Sequence, residues 1–239
     1  MGKILVWALA LSVGAYAKNP NVFGNDDRQP VTSTQYPWRT VGYITGGCTA
    51  TLVYRNLILT AAHCVFDENQ NLKSFDFYPN MVNGNSQTKS SAVYTWWGTK
   101  DPIKNRGSDW AIVKLADNVG DVYGWMGATN DQYNQTTLVG YSGDYDNGMT
   151  ATTHIGCEIK EKLSNFWLHD CDGNRGSSGG PMFSMNGDKP VIVSIQVAEY
   201  RDDGEVSLKV NSYERAHANI AVPTRAFLDK LKEAIAEQK

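Results

Sequence analysis

The chain falls into short runs rich in β-branched, aromatic and aliphatic residues, each closed by a Gly, Asn, Asp or Pro turn. Val41–Ile44, Thr49–Tyr54, Leu57–Thr60, Phe75–Tyr78, Ala92–Trp97 and Trp110–Leu115 form one set of predicted strands. A second set is Thr137–Tyr141, Ala151–Glu158, Val191–Ala198, Val206–Val210 and Asn219–Val222. Between them Ala116–Gln135 is polar, contains glycine and reads as a linker. Asn83-Gly84, Asn147-Gly148, Asn186-Gly187 and Asp203-Gly204 suit hairpin turns, whose central residues need positive φ. Only the end of the chain changes period: after Pro223, Phe227, Leu228, Leu231 and Ile235 recur at helical spacing, with Thr224 placed to cap. The pattern predicts an all-β protein, either one large domain or two joined barrels, finished by a helix over about 224–237 packed on the second barrel.

Composition adds a compartment. Lys3, the apolar run Ile4 to Val13 and Ala15-Tyr16-Ala17 read as a secretory signal peptide over 1–17, its apolar core too short to span a bilayer. Four cysteines behind such a leader suggest two disulfides, although four allow three pairings. A metal site is disfavoured because paired short Cys/His spacings are missing, so no metal or cofactor is expected. The net charge of −3 is scattered, which gives no footprint for nucleic acid or an acidic membrane. With 41% hydrophobic residues, seven Trp and twelve Tyr, a substantial core is available.

Candidate chemistry centres on Gly176-Ser177-Ser178-Gly179-Gly180-Pro181. Glycines let a substrate carbonyl approach the backbone, and the N–H groups of Gly176 and Ser178 could hold an oxyanion together. A serine nucleophile needs a base, and Thr60-Ala61-Ala62-His63-Cys64 offers His63 among small neighbours. Asp109, just before Trp110-Ala111-Ile112-Val113-Lys114-Leu115, could accept the other imidazole N–H. Each segment alone has a plain structural reading; three in one chain are far more specific.

In the order His63, Asp109, Ser178 these segments resemble the chymotrypsin-like serine peptidases. Val22-Phe23-Gly24-Asn25-Asp26-Asp27-Arg28 and Tyr36-Pro37-Trp38-Arg39 resemble the mature start of the bacterial glutamyl endopeptidase, or V8-like, branch. The resemblance implies two six-stranded Greek-key β-barrels, about 36–117 and 136–222, within a peptidase domain 22–239, with 18–21 as a short pro-segment. It implies pairing of Cys48 with Cys64, leaving Cys157 with Cys171. It also implies a secreted endopeptidase, working as a monomer on protein or peptide substrates through an acyl-enzyme on Ser178. A non-catalytic binding protein on the same scaffold is the competing class, which loss of a triad residue would have favoured.

Specificity is less determined. Asp172 stands six residues before Ser178, the offset of the pocket-floor acid in trypsin-type relatives, which ranks Arg or Lys first for the residue on the acyl side of the cut, P1. Cys171, however, is seven residues before the serine, where those relatives have it four before, so Asp172 could equally be a structural acid bonded to backbone N–H groups. The glutamyl branch uses a histidine where this chain has Gln196, so a glutamate preference would need positive charge from Arg175 or His217. Ser177 replaces the aspartate with which digestive relatives hold a freed N-terminus. His154, His169 and His217 read as structural or surface residues, His217 also as a candidate for the pocket wall. Asn134-Gln135-Thr136 reads as an unmodified loop.

Overall fold

A computed structural model describes residues 21–201 and 212–238. The leader at 1–17, residues 18–20, the strand read at Val206–Val210 and the turn at Asp203-Gly204 lie outside those residues.

The chain enters along a two-residue strand, β1 (Gln29–Pro30), and then builds a closed barrel. Its strands are β2 (Val41–Ile44), β3 (Cys48–Tyr54), β4 (Leu57–Thr60), β5 (Asp76–Pro79), β6 (Ser90–Trp97) and β7 (Ala111–Leu115), in the order β2-β3-β4-β7-β6-β5. The expected strands are all present, with ends shifted by at most two residues. All four residues of β4 are buried, so both its inward and its outward face are covered. At Asn83-Gly84 both residues take positive φ, and Val82 bridges Asn85 across the turn.

The linker contains a one-turn helix α1 (Gly120–Tyr123) and a short strand β8 (Gly127–Ala128) that runs parallel to β13 (Lys189–Arg201). The second barrel joins β9 (Gln135–Gly140), β10 (Thr152–Lys162), β11 (Trp167–His169), β12 (Pro181–Asn186), β13 and β14 (His217–Pro223) in the order β10-β11-β14-β13-β12-β9, closed by the β9–β10 pairing. Two of these, β11 and β12, were not read from the sequence. β12 begins inside the Gly-Gly-Pro segment, whose loop-like composition hides a strand; its proline is the first strand residue, where a missing N–H is tolerated.

One cluster of buried side chains runs through both barrels, from Leu52 and Ile112 to Val139, Ile195, Val222 and Phe227. The C-terminal helix α2 (Leu228–Ala236) buries Leu231 and Ala234. It returns to the first barrel rather than staying on the second: the Phe227 ring meets Trp110 at 6.2 Å, and Gln238 lies beside Asn56. Thr224 is not its cap either. Its hydroxyl donates to the carbonyls of Thr129 and Val193, drawn inward by a buried site.

Candidate active site

His63 lies at the end of β4, where Ala61 and Ala62 are buried and a single tight turn, Ala62–Cys64, presents the ring. Cys64 is bonded to Cys48 at the start of β3, which ties this turn to the barrel. Asp109, 3% exposed, follows another tight turn, Arg106–Ser108. Its Oδ1 accepts the His63 backbone N–H at 3.0 Å and its Oδ2 lies 2.8 Å from Nδ1. A carboxylate can only accept, so the Nδ1 hydrogen points at Asp109 and Nε2 of the neutral ring keeps its lone pair. The His63 side chain is 33% exposed against 4% for Asp109, a reactive face held by a buried anchor.

The loop between β11 and β12 carries Ser178 across to the first barrel. The Ser178 carbonyl accepts the Thr49 N–H at 2.9 Å, and the Thr49 hydroxyl donates to the Gly176 carbonyl at 2.8 Å. The same hydroxyl accepts the Tyr141 N–H. Tyr141 is itself pinned, its own hydroxyl both accepting from Met81 N–H and donating to Met81 O, and burial pushes that phenol well above its ordinary pKa. Glycine at 176 is a steric requirement: φ is +100°, and a Cβ there would lie 2.2 Å from the Tyr141 carbonyl oxygen.

Within this loop the N–H of Ser177 goes to Asn174 O, that of Gly179 to Gln196 O and that of Gly180 to Ser177 O. The N–H groups of Gly176 and Ser178 have no acceptor among the described residues. One belongs to half-buried Ser178 itself and the other to Gly176 two residues before it, two donors of the kind that an oxyanion needs. The Ser177 hydroxyl donates to Asn174 O at 2.7 Å, so the position that carries an aspartate in digestive relatives holds its loop from within.

Asp172 does not form the floor of an open pocket. Its side chain is wholly buried, Oδ1 accepts the N–H of Phe23 at 2.8 Å and Oδ2 that of Asp27 at 3.1 Å. The acid holds the N-terminal arm because buried carboxylate oxygens need donors and the arm's backbone supplies them. His154 joins this group, its Nδ1 lying 2.9 Å from the Asp172 N–H and 3.3 Å from Oδ2. As a neutral ring it accepts the N–H; as a cation it donates to the carboxylate. Burial opposes the charged form, but Asp172, with Asp170 and Asp27 behind it, raises the ring above its ordinary pKa.

Gln196 is 6% exposed, and its backbone bonds Gly179 N–H and Gly180 O, immediately after Ser178. Its Oε1 lies 2.6 Å from Nε2 of fully buried His169. His169 Nδ1 accepts the Cys171 N–H, and burial drives the ring pKa down to about 4. Nothing in the sequence around His169 signals this partner, because the two residues come from β11 and β13, 27 positions apart. His217 begins β14, half-buried, and among the described residues no hydrogen bond joins it to Ser178 or Gln196. Arg175 is exposed beside Gly176.

Both disulfides brace this region, Cys48–Cys64 at the histidine turn and Cys157–Cys171 between β10 and the entry to the serine loop. Two groups of three metal-ligating side chains occur among the described residues. Cys48, His63 and Cys64 form one, but their sulfurs are bonded to each other; Asp27, His154 and Asp172 form the other and clasp the arm.

A trypsin-like peptidase domain model matches residues 48–191. A trypsin-like protease of Streptomyces glaucescens is 25% identical over 195 residues, 71% of this chain and 69% of its own length. An extracellular metalloprotease of Bacillus subtilis is 28% identical over 124 residues, of whose length this chain spans only 38%. Among solved structures, a Glu endopeptidase superposes with a TM-score of 0.74 at 23% identity, over 90% of this chain and 99% of that one. The protease Anisep of Arthrobacter nicotinovorans gives 0.63 at 21% identity, over 82% of this chain and 93% of its own. These likenesses show the fold to be chymotrypsin-like, and the match of the domain model over more than half of its length makes this chain a member of the trypsin-like peptidase family.

Proposed function

We propose that the protein is an exported serine endopeptidase in which Ser178 attacks the scissile carbonyl. His63 takes the serine proton on Nε2 and returns it to the leaving amine, giving an acyl-enzyme and a free amino product. Water then repeats the sequence and releases the acyl half as a carboxylic acid. Asp109 keeps the imidazole in the tautomer that can accept this proton and stabilises the cation that results. The N–H groups of Gly176 and Ser178 take the oxyanion of both tetrahedral intermediates.

The observation that carries this reading is the pair of unengaged N–H groups on a serine loop whose other amides are bonded, in a fold that also holds His63 against Asp109. An active-site acylating reagent tests it directly. One equivalent should attach to Ser178 and abolish peptide hydrolysis; attachment elsewhere, with activity kept, would refute it.

The support for a preference for Arg or Lys disappears with Asp172, whose oxygens face the N-terminal arm. A P1 side chain that accepts hydrogen bonds, glutamate first, suits Gln196 and the exposed cation Arg175 better. Export and removal of 1–17 fit the two disulfides. For the finished N-terminus we propose a cut at or near Val22, where the resemblance to the mature glutamyl endopeptidases begins.

A further inference from the structure

A cavity of about 670 Å³ opens where the two barrels meet, and neither the triad nor the serine loop lines it. One wall is the first-barrel loop from Ile103 to Ser108, directly before Asp109. The other is made by Ser164, Asn165 and Phe166, between β10 and β11, with Pro223, which ends β14, and Arg225 just beyond it. The two walls touch: a Cβ on Gly107 would lie 2.3 Å from the Asn165 carbonyl oxygen, so this contact requires a glycine. The volume is in the range that takes a ligand of several side chains.

The charge around this groove has one sign. Lys104, Arg106 and Arg225 line it, and no Asp or Glu does. Arg225 is exposed, donates from Nη2 to the carbonyls of Leu163 at 2.8 Å and Ser164 at 2.9 Å, and lies over the Trp167 ring at 5.5 Å. Arg106 reaches the Glu199 carbonyl at 3.4 Å. These partners are neutral, so both arginines are held in place with their charge uncompensated and with N–H donors to spare for a planar carboxylate. Lys104 does meet an acid, Asp101 at 3.1 Å, but its side chain is 81% exposed and such a pair contributes little. Between the cations the lining is apolar, with Ile103, also 81% exposed, facing Phe166 and Pro223 across the groove. Cations set among apolar side chains suit a polypeptide that interleaves carboxylates with aliphatic residues; a phosphate or a sulfated sugar would use the charge and leave Ile103 uncovered.

We propose that this groove is an exosite that binds an acidic, leucine-containing segment of a protein substrate, away from the bond to be cut. The proposal rests on the serine endopeptidase reading and adds a substrate class to it. Because the groove touches no reacting group, an occupant tethers the substrate and acts on KM, leaving kcat as it is.

The test joins a peptide that the protein cuts, through a flexible Gly/Ser linker, to one of three tails: acids interleaved with leucine, the same tail with glutamine for every acid, and the same tail with serine for every leucine. Each tail is placed at either end in separate peptides, and active protein is counted by acylation of Ser178. From at least one end the acidic leucine tail should lower KM about tenfold relative to the glutamine tail, the worth of two or three exposed charge pairs, with kcat unchanged. The gain should shrink at about 0.5 M salt. Lys104→Glu combined with Arg225→Gln should erase it while the untailed peptide is cut as before. If that pair fails to fold, Lys104→Glu alone, on an exposed side chain, should reduce the gain to about threefold. Equal KM for the acidic and glutamine tails from both ends overturns the proposal, and so does a gain that persists in the folded variants, which would place the tail elsewhere. A serine tail as effective as the leucine tail, or full loss of the gain in millimolar inorganic phosphate at constant ionic strength, marks a site that reads charge alone and overturns the polypeptide occupant. Fluorescence anisotropy of the labelled acidic tail on Ser178→Ala separates the two readings: binding that Lys104→Glu weakens, beside a wild type that neither acylates nor cuts, keeps the groove as a binding site and strikes the peptidase reading.

Discussion

At the scale of single residues the site is a set of hydrogen-bond directions. His63 has one ring nitrogen turned to Asp109 and the other left with its lone pair, because a carboxylate has no hydrogen to give. Ser178→Ala and His63→Ala should each lower kcat by about 10⁵ to 10⁶, and the double variant should be little worse, since members of such a unit act together. Steady-state kinetics beside an unchanged thermal midpoint would check this; a residual tenth of the activity in Ser178→Ala would require another nucleophile. Gly176→Ala is expected to lower kcat by about 10² to 10³. A Cβ there meets the Tyr141 carbonyl at 2.2 Å, so the peptide must turn and take its donor out of line. A variant with normal kcat would show that the Gly176 N–H does not face the oxyanion.

At the scale of elements, the serine loop is a strap drawn across the two barrels. β3 holds it through Thr49, β13 through Gln196, and the N-terminal arm through Asp172. The disulfide Cys48–Cys64 closes 16 residues around the histidine turn, and replacing both cysteines by Ala should cost about 3 kcal/mol of stability. Chemical denaturation of the two forms, measured side by side, decides this, and equal midpoints would rule it out. The composition of the loop marked it as a candidate nucleophile segment, but not what anchors it. Thr49 and Tyr141 look like ordinary strand residues in the sequence, and their contacts join positions about 90 to 130 apart.

At the scale of the whole molecule, a continuous core joins the barrels, and Phe227, at the entry to α2, packs on Trp110 of the first barrel. The core also encloses a titratable ring. His169 has a folded pKa near 4 against an ordinary 6.5, so its contribution to stability is complete above about pH 6.5. It is lost as the pH falls toward 4, because the unfolded chain takes up a proton that the folded one refuses; the full effect is about 3 kcal/mol. Denaturation of wild type and His169→Gln at pH 4.5 and 7 should show a smaller acid loss in the variant. Identical losses would mean that this ring does not titrate as described.

The sequence by itself determined the strands of the first barrel, the turn at Asn83-Gly84 and the identity of the three catalytic candidates. These depend on local patterning and on residue types whose chemistry is fixed whatever surrounds them. β11 and β12 escaped it, the first because three residues carry too little period, the second because it starts in a glycine-rich loop. The place of α2 escaped too, since an apolar stripe specifies that a helix is buried and not against which partner. Asp172 shows the limit most clearly: six residues before the serine it could serve a pocket or the backbone, and the choice depended on where Phe23 and Asp27 came to rest, 149 and 145 positions away. The same is true of His169 and Gln196. Hydrogen-bond partners of buried groups are chosen by three-dimensional proximity, which packing decides and sequence order does not.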